Sequence, residues 1–304
     1  EGLAWDEKYL VRVCVALGEL ASHDLGGQWA NRPSNSLATI LLPWRPQTLA
    51  SIDKRKVAVQ TLLNEWPDIA WKLIIQLLPG QHRISSGSHK PSWRKTILDD
   101  SEKGVTHQEY WQQVSFYADL AVDAAGNDTA RLSALIDHFG NLPQSAFDQL
   151  VEVLASQSIS ELPKDQRLFL WDRLTKFTNK HRRFSDAKWA LSDELITRIE
   201  DVAEKIAPTN PFNLYQHLFT HSDYELYDKN SDWEEQRKRL DVRREAAIRE
   251  IFQQNGVEGV IRFAECVVSP EQVGQALGMI ADEVIEKAFL PHFLDTENNK
   301  HENL

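Results

Sequence analysis

"THQEYWQQVSFYADLAVDAAGN", Thr106 to Asn127, is the stretch that decides the fold class. Thr106 followed three residues later by Glu109 is a capping box, in which each side chain satisfies the other residue's free backbone N–H. Tyr110, Val114, Tyr117, Ala118 and Ala121 then recur at three- and four-residue spacing, so they share one helical face. Gly126 follows where a helix needs a residue tolerant of positive φ. Start, stripe and stop agree on one amphipathic helix.

The same grammar extends in both directions. Downstream, Leu132, Leu135, Ile136 and Phe139 form the next apolar stripe, closed by Gly140. Helices are also expected in "PQSAFDQLVEVLAS", in "PKDQRLFLWDRLTKFTNK" and in a segment carrying Leu191, Leu195, Ile199, Val202 and Ile206. "SDWEEQRKRLDVRREAAIREIFQQNG" reads as a long helix with a capping box from Ser231 to Glu234. Upstream, Leu10, Val13, Leu17 and Leu20 predict a first helix, and Ser34 or Asn35 a cap for a second. Pro67 suits the first turn of a fourth helix, stopped by Pro79-Gly80. No segment alternates with the period of two that a strand requires.

The sequence therefore predicts an all-α chain of about a dozen helices joined by short loops. Consecutive amphipathic helices suggest stacked antiparallel hairpins, an irregular α-solenoid of the TPR or HEAT kind. An irregular orthogonal bundle is the runner-up, because "WDEKYL", "WPDIAW" and "WDRL" give only a degenerate repeat. The long irregular stretches Pro79–Val105 and Pro208–Asn230 divide the chain into expected sub-bundles at 1–80, 105–207 and 231–293. A start at Glu1 inside an amphipathic pattern, with Met279 the one methionine, leads us to expect a piece of a larger polypeptide.

Composition narrows the function. A net charge of −11 opposes long-range approach to nucleic acid or an anionic membrane. No apolar run nears the roughly 20 residues of a membrane span. Cys14 and Cys266, far apart and each in an apolar pattern, read as buried reduced thiols, which fits a cytoplasmic setting. Most tryptophans (Trp5, Trp66, Trp71, Trp93, Trp111, Trp171, Trp189 and Trp233) fall on helical faces and read as core.

Catalytic motifs are scarce. Neither phosphate-cradling glycine motif is present, and no cofactor is expected. "GQHRISSGSHKPSWRK", residues 80–95, gathers two histidines, four serines and four cations with no carboxylate. Serines near His82 and His89 lack a third group to orient the base, so we do not expect a nucleophile there. The loop reads instead as a grip for an acidic partner, with Arg83, His89, Lys90, Trp93 and Arg94 as contacts. Trp44, held between Pro43 and Pro46 beside Arg45, has the Trp/Arg pairing of an interface anchor as well as that of a wedge on a helix pair. "HLFTH" sets His217 and His221 at i,i+4, the spacing for a shared zinc, with Asp223 and Glu225 close behind. Leu218 stands where a metalloprotease carries its glutamate, which favours a structural role. In "NKHRRFSDAK", Lys180 to Arg183 read as a cationic helix cap rather than a nucleic-acid surface.

The stretch Gly2–Thr48, with "LAW", "D-L-G-G", "NRPSNSL" and "LPWRPQT", resembles segments of very large bacterial proteins, and "GVEGVIRFAECVVSPEQVGQAL" has the same flavour. The named group it resembles is the STAND-type NTPases of bacterial antiviral immunity, the AVAST-like systems. That resemblance implies a sensor-side helical region that recognises a phage protein and supports oligomerisation through the parent protein. It implies no NTPase or effector residues in this chain. The expectation is a non-catalytic, protein-binding sensor or scaffold domain. The alternatives are a metal-dependent hydrolase using His217 and His221, and a structural connector between effector and sensor.

Overall fold

The computed structural model describes residues 1–27, 29, 31–80, 91, 104–222, 226 and 232–294. These residues are all-α, with no strand among them. The helices are α1 (Leu10–Ser22), α2 (Pro33–Leu41), α3 (Ile52–Glu65), α4 (Pro67–Leu77), α5 (His107–Ala125), α6 (Thr129–Ile136) and α7 (Gln144–Leu154). They continue with α8 (Gln157–Ser160), α9 (Lys164–Arg183), α10 (Asp193–Ile206), α11 (Pro211–Tyr215), α12 (Trp233–Cys266), α13 (Pro270–Ile280) and α14 (Glu283–Leu294). No described helix is long and apolar enough to cross a membrane.

The local signals act as their chemistry dictates. Thr106 and Glu109 close the capping box of α5, and Gly126 ends it at φ 49°. Pro67 opens α4. α2 begins one residue before its expected caps, at Pro33. Asp232, not Ser231, caps α12, its carboxylate accepting from the Glu234 N–H at 3.0 Å. Gly256, at φ 65° and ψ −162°, breaks α12 internally, so two helical runs meet there.

The chain forms two compact units, Glu1–Leu154 and Ala155–Leu304. The expected boundary near residues 80–105 does not divide the fold, because α5 packs on both α3 and α4. In the first unit, α1 packs against α2 and α3, α3 against α4, and α5 against α6 and α7. The buried stripe of α1 is Leu10, Cys14, Gly18 and Ala21; of the expected stripe Leu10 is buried and Val13 and Leu17 are half-buried. Leu20 is 58% exposed. The reason is close approach: a Cβ on Gly18 would lie 2.7 Å from Leu62 Cδ2 and 2.8 Å from Trp66 Cδ1. Small residues let α1 and α3 approach, and that contact chooses the face.

Arginines staple this unit. Arg55 Nε donates to the Ala50 carbonyl at 2.9 Å and its Nη1 to the buried Gln113 Oε1 at 3.1 Å. Arg131 Nη1 donates to the Ala124 carbonyl at 2.8 Å and its Nη2 to Asp68 at 3.0 Å, with the guanidinium over the Trp71 ring.

In the second unit, α9 and α10 pair, and α12 packs with α11 and α13. Its apolar core gathers Phe219, Ile248, Ile251, Val260, Phe263 and Val273. Arg182 ties α9 to α10 through Glu200 at 2.7 Å, Asp193 at 3.0 Å and Thr197 at 2.9 Å. The cation cluster therefore does more than cap a helix. Buried Arg244 donates from Nε to the Leu218 carbonyl at 2.9 Å.

Two expectations about burial are corrected. Cys14 is buried but Cys266 is exposed, because it ends α12 where the chain turns toward α13. Trp5 and Trp171 are core, whereas Trp111, Trp189 and Trp233 are exposed. Their amphipathic rings carry a polar edge that tolerates water. The Trp111 Nε1–H, for example, bonds His107 Nε2 at 2.9 Å along one helical turn.

Candidate functional site

Three regions carry the chemistry expected of a site. The first is the turn at Trp44–Arg45. It is hydrogen-bonded on both sides: Gln47 N–H donates to the Ile40 carbonyl at 3.0 Å, and Gln47 Nε2 to the Arg45 carbonyl at 3.1 Å. Pro43, Gln47 and Thr48 are buried beneath it. Trp44 remains 37% exposed beside exposed Arg45, so the ring is partly a wedge and partly a surface.

The second region went unread in the sequence. Between α1 and α2 the chain runs through "HDLGGQWANR", His23–Arg32. Asp24 Oδ1 accepts the Gly26 N–H at 3.1 Å. Arg32 reaches back across eight residues to Asp24 Oδ2 at 2.8 Å and to the Gly27 carbonyl at 3.1 Å. Gly26 at φ 90° and Gly27 at φ 129° supply backbone conformations that other residues resist. The Arg32 guanidinium, with the Gly26 N–H, holds the Asp24 carboxyl below the ordinary carboxylate range. This clasp ties Asp24, Gly26 and Gly27 to Arg32. Leu25 is fully exposed and Trp29 is 79% exposed. The available signal was composition: a leucine and a tryptophan inside a glycine-rich connection, off any helical stripe.

The third region is a cavity of about 480 Å³ in the second unit. One stripe of α9 lines it with Asp172, Lys176, Asn179, Lys180 and Arg183. His217 and the α12–α13 junction at Cys266–Val268 form the facing wall. Lys176 pairs with Asp172 at 2.7 Å. Lys180 lies 5.3 Å above the Trp189 ring, which orients a cation without neutralising it.

The histidines do not form the metal pair of the alternative hydrolase reading. The i,i+4 argument needs a continuous helix, but His217 sits in a 3₁₀ turn, Gln216–Leu218, and Phe219 leaves helical geometry at φ −111° and ψ 68°. The His217 ring packs edge-on to Trp171 at 5.5 Å. His221 Nδ1 instead meets Ser269 Oγ at 2.7 Å, with Glu271 at 3.8 Å. Each imidazole is committed to a different element. No group of three His, Cys, Asp or Glu among the described residues could hold a metal ion. Asp223 and Glu225 lie outside the described residues, as do Arg83, His89, Lys90, Trp93 and Arg94.

Burial drives the His217 pKa down to about 4, with Arg243 adding repulsion and the Leu214 carbonyl only partly opposing. His181 falls to about 4 for the same first reason, with Lys180 beside it. Its Nδ1 accepts the Leu191 N–H at 3.0 Å, a role that requires the neutral ring. Both imidazoles are uncharged at neutral pH.

Comparison with protein-family models, with curated proteins and with solved structures finds no match.

Proposed function

We propose that the chain is a protein-binding helical module, working as a sensor or scaffold rather than as a catalyst. The observation that supports it is the clasped His23–Arg32 loop, which holds Leu25 and Trp29 in water. An exposed tryptophan presents a large, rigid contact area at low entropic cost on binding. The Trp44–Arg45 turn adds a second anchor of the residue types that dominate interfaces. Successive amphipathic helices suit a solenoid-like array whose concave side offers a broad surface. The parent protein we envisage is a large cytoplasmic bacterial defence protein of the STAND type. In that setting the partner is a phage protein, and self-association runs through the parent.

The test uses the chain immobilised beside the double variant Leu25→Ser/Trp29→Ser. Both are exposed to lysates of uninfected and phage-infected bacteria, and any captured protein is purified and titrated. A phage protein bound by the wild type and at least about tenfold more weakly by the variant supports the reading. Equal affinity for both removes this loop from the interface. Capture of nothing from either lysate favours the connector alternative.

A further inference from the structure

The cavity of the second unit has properties that protein docking does not use. It is concave, about 480 Å³, and within the size range of sites for small organic ligands. Its lining divides by chemistry. Among the described residues Leu226, Val267 and Val268 are apolar, while the α9 stripe brings Lys176, Lys180 and Arg183 beside Asp172, the one carboxylate that lines the cavity there. This cationic excess stands in a chain whose net charge is −11. Cations in the last turn of a helix complement its dipole. That accounts for Arg182, which two carboxylates and a hydroxyl hold on the α10 side. It covers Lys180 and Arg183 as well, since they share that last turn, and Lys176 one turn earlier pairs with Asp172; what the dipole leaves unexplained is that these three cations line one cavity with an apolar wall. Low-dielectric walls around a group of like charges focus their field into the cavity.

We propose that this cavity binds a small organic anion, its phosphate or carboxylate head against Lys176 and Lys180 with Arg183, and its apolar body against Leu226, Val267 and Val268. Neutral His217 adds a hydrogen-bonding edge without adding charge. The inference is independent of the protein-docking reading, since it concerns another unit and other residues.

Cys266 provides the assay in the native chain. It is exposed and lines the cavity, whereas Cys14 is buried, with its thiol pKa pushed up to about 12. A thiol-reactive maleimide therefore labels Cys266 selectively, and an occupant of the cavity slows that labelling. The probes are phenyl phosphate, phenylacetate, inorganic phosphate and the neutral benzyl alcohol. Phenyl phosphate or phenylacetate is expected to slow labelling at least about tenfold at saturation, with Kd between about 1 μM and 1 mM. Benzyl alcohol is expected to give no protection. Protection by inorganic phosphate as strong as by phenyl phosphate would remove the apolar half of the site. Lys176→Gln and Lys180→Gln each raise Kd by about fivefold or more, and Asp172→Asn lowers it by about threefold, since it removes the opposing charge. Lys176 and Asp172 are surface positions whose substitution leaves the core intact, and circular dichroism verifies this. Absence of protection by either aromatic anion up to roughly 10 mM overturns the proposal. So does protection that the neutral probe matches, or that all three charge variants leave unchanged.

Discussion

The two units differ in how many ionisable groups enter their packing. Glu1–Leu154 relies on close approach and apolar contact: Gly18 against Leu62 and Trp66, and a run of alanines along α5. Its polar side chains mostly finish helix ends and loops, as Thr106, Asp128 and the Asp24–Arg32 clasp do, with Arg55 on the buried Gln113 and Arg131 on Asp68 as its inter-helix staples. Ala155–Leu304 instead carries buried or half-buried ionisable groups inside its framework: Arg182, His181, His217 and Arg244. Where packing is apolar the surface is free to display Leu25 and Trp29. Where packing is polar a charged cavity remains between elements. The comparison teaches that an exposed apolar loop and a cation-lined cavity accompany two different ways of holding a unit together.

The largest expected effect comes from removing a structural cation in the second unit. Arg244→Ala deprives the Leu218 carbonyl of its donor and leaves a void under Phe219. We expect a loss of about 3 kcal/mol in urea unfolding, with hydrogen exchange accelerated in the second unit rather than the first. Uniform acceleration through both units would break the distinction drawn above.

Next is overpacking in the first unit. Gly18→Val places methyl groups against Leu62 and Trp66 and should cost about 2 kcal/mol, read by the same exchange experiment in α1 and α3. Gly18→Ala should cost less, because replacing a helical glycine returns about 1 kcal/mol of propensity. A neutral Gly18→Val would mean that α1 and α3 can separate without penalty.

The smallest effect is in pH. His181 and His217 have folded pKa values near 4, below the ordinary value of 6.5, so the unfolded chain binds more protons between those limits. Their contribution is complete above pH 6.5 and is lost as pH falls toward 4. In the first unit the lowered groups Asp24 and Glu109 are carboxylates, whose contribution persists until pH falls through their own, lower range. Thermal melts between pH 7 and 6 should show the second unit weakening first, by on the order of 1 kcal/mol, and His217→Gln should flatten that slope. Equal weakening of both units would remove the histidines as its source.

Much of the fold was legible in the sequence. The α5 capping box, Gly126 and Pro67 are local: each works through its own backbone within a turn or two. Such signals survive in any tertiary setting, so the all-α class could be read from them. Three features were not legible. The buried face of α1 belongs to Cys14, Gly18 and Ala21 because α3 approaches closely, and hydrophobicity alone favours Leu17 and Leu20. The histidine pair looked like a zinc site because spacing assumes a helix, which Phe219 ends. The cavity joins α9 to residues more than eighty positions later, and no local pattern brings Lys176 toward Cys266.

The sequence by itself determined which segments are helices and where they stop, since caps, proline and glycine act through neighbouring backbone groups. The tertiary structure alone decided which face each helix buries, which cations are consumed in ion pairs and which line a cavity. Those choices depend on contacts between distant segments, whose energies exceed the local preferences they override.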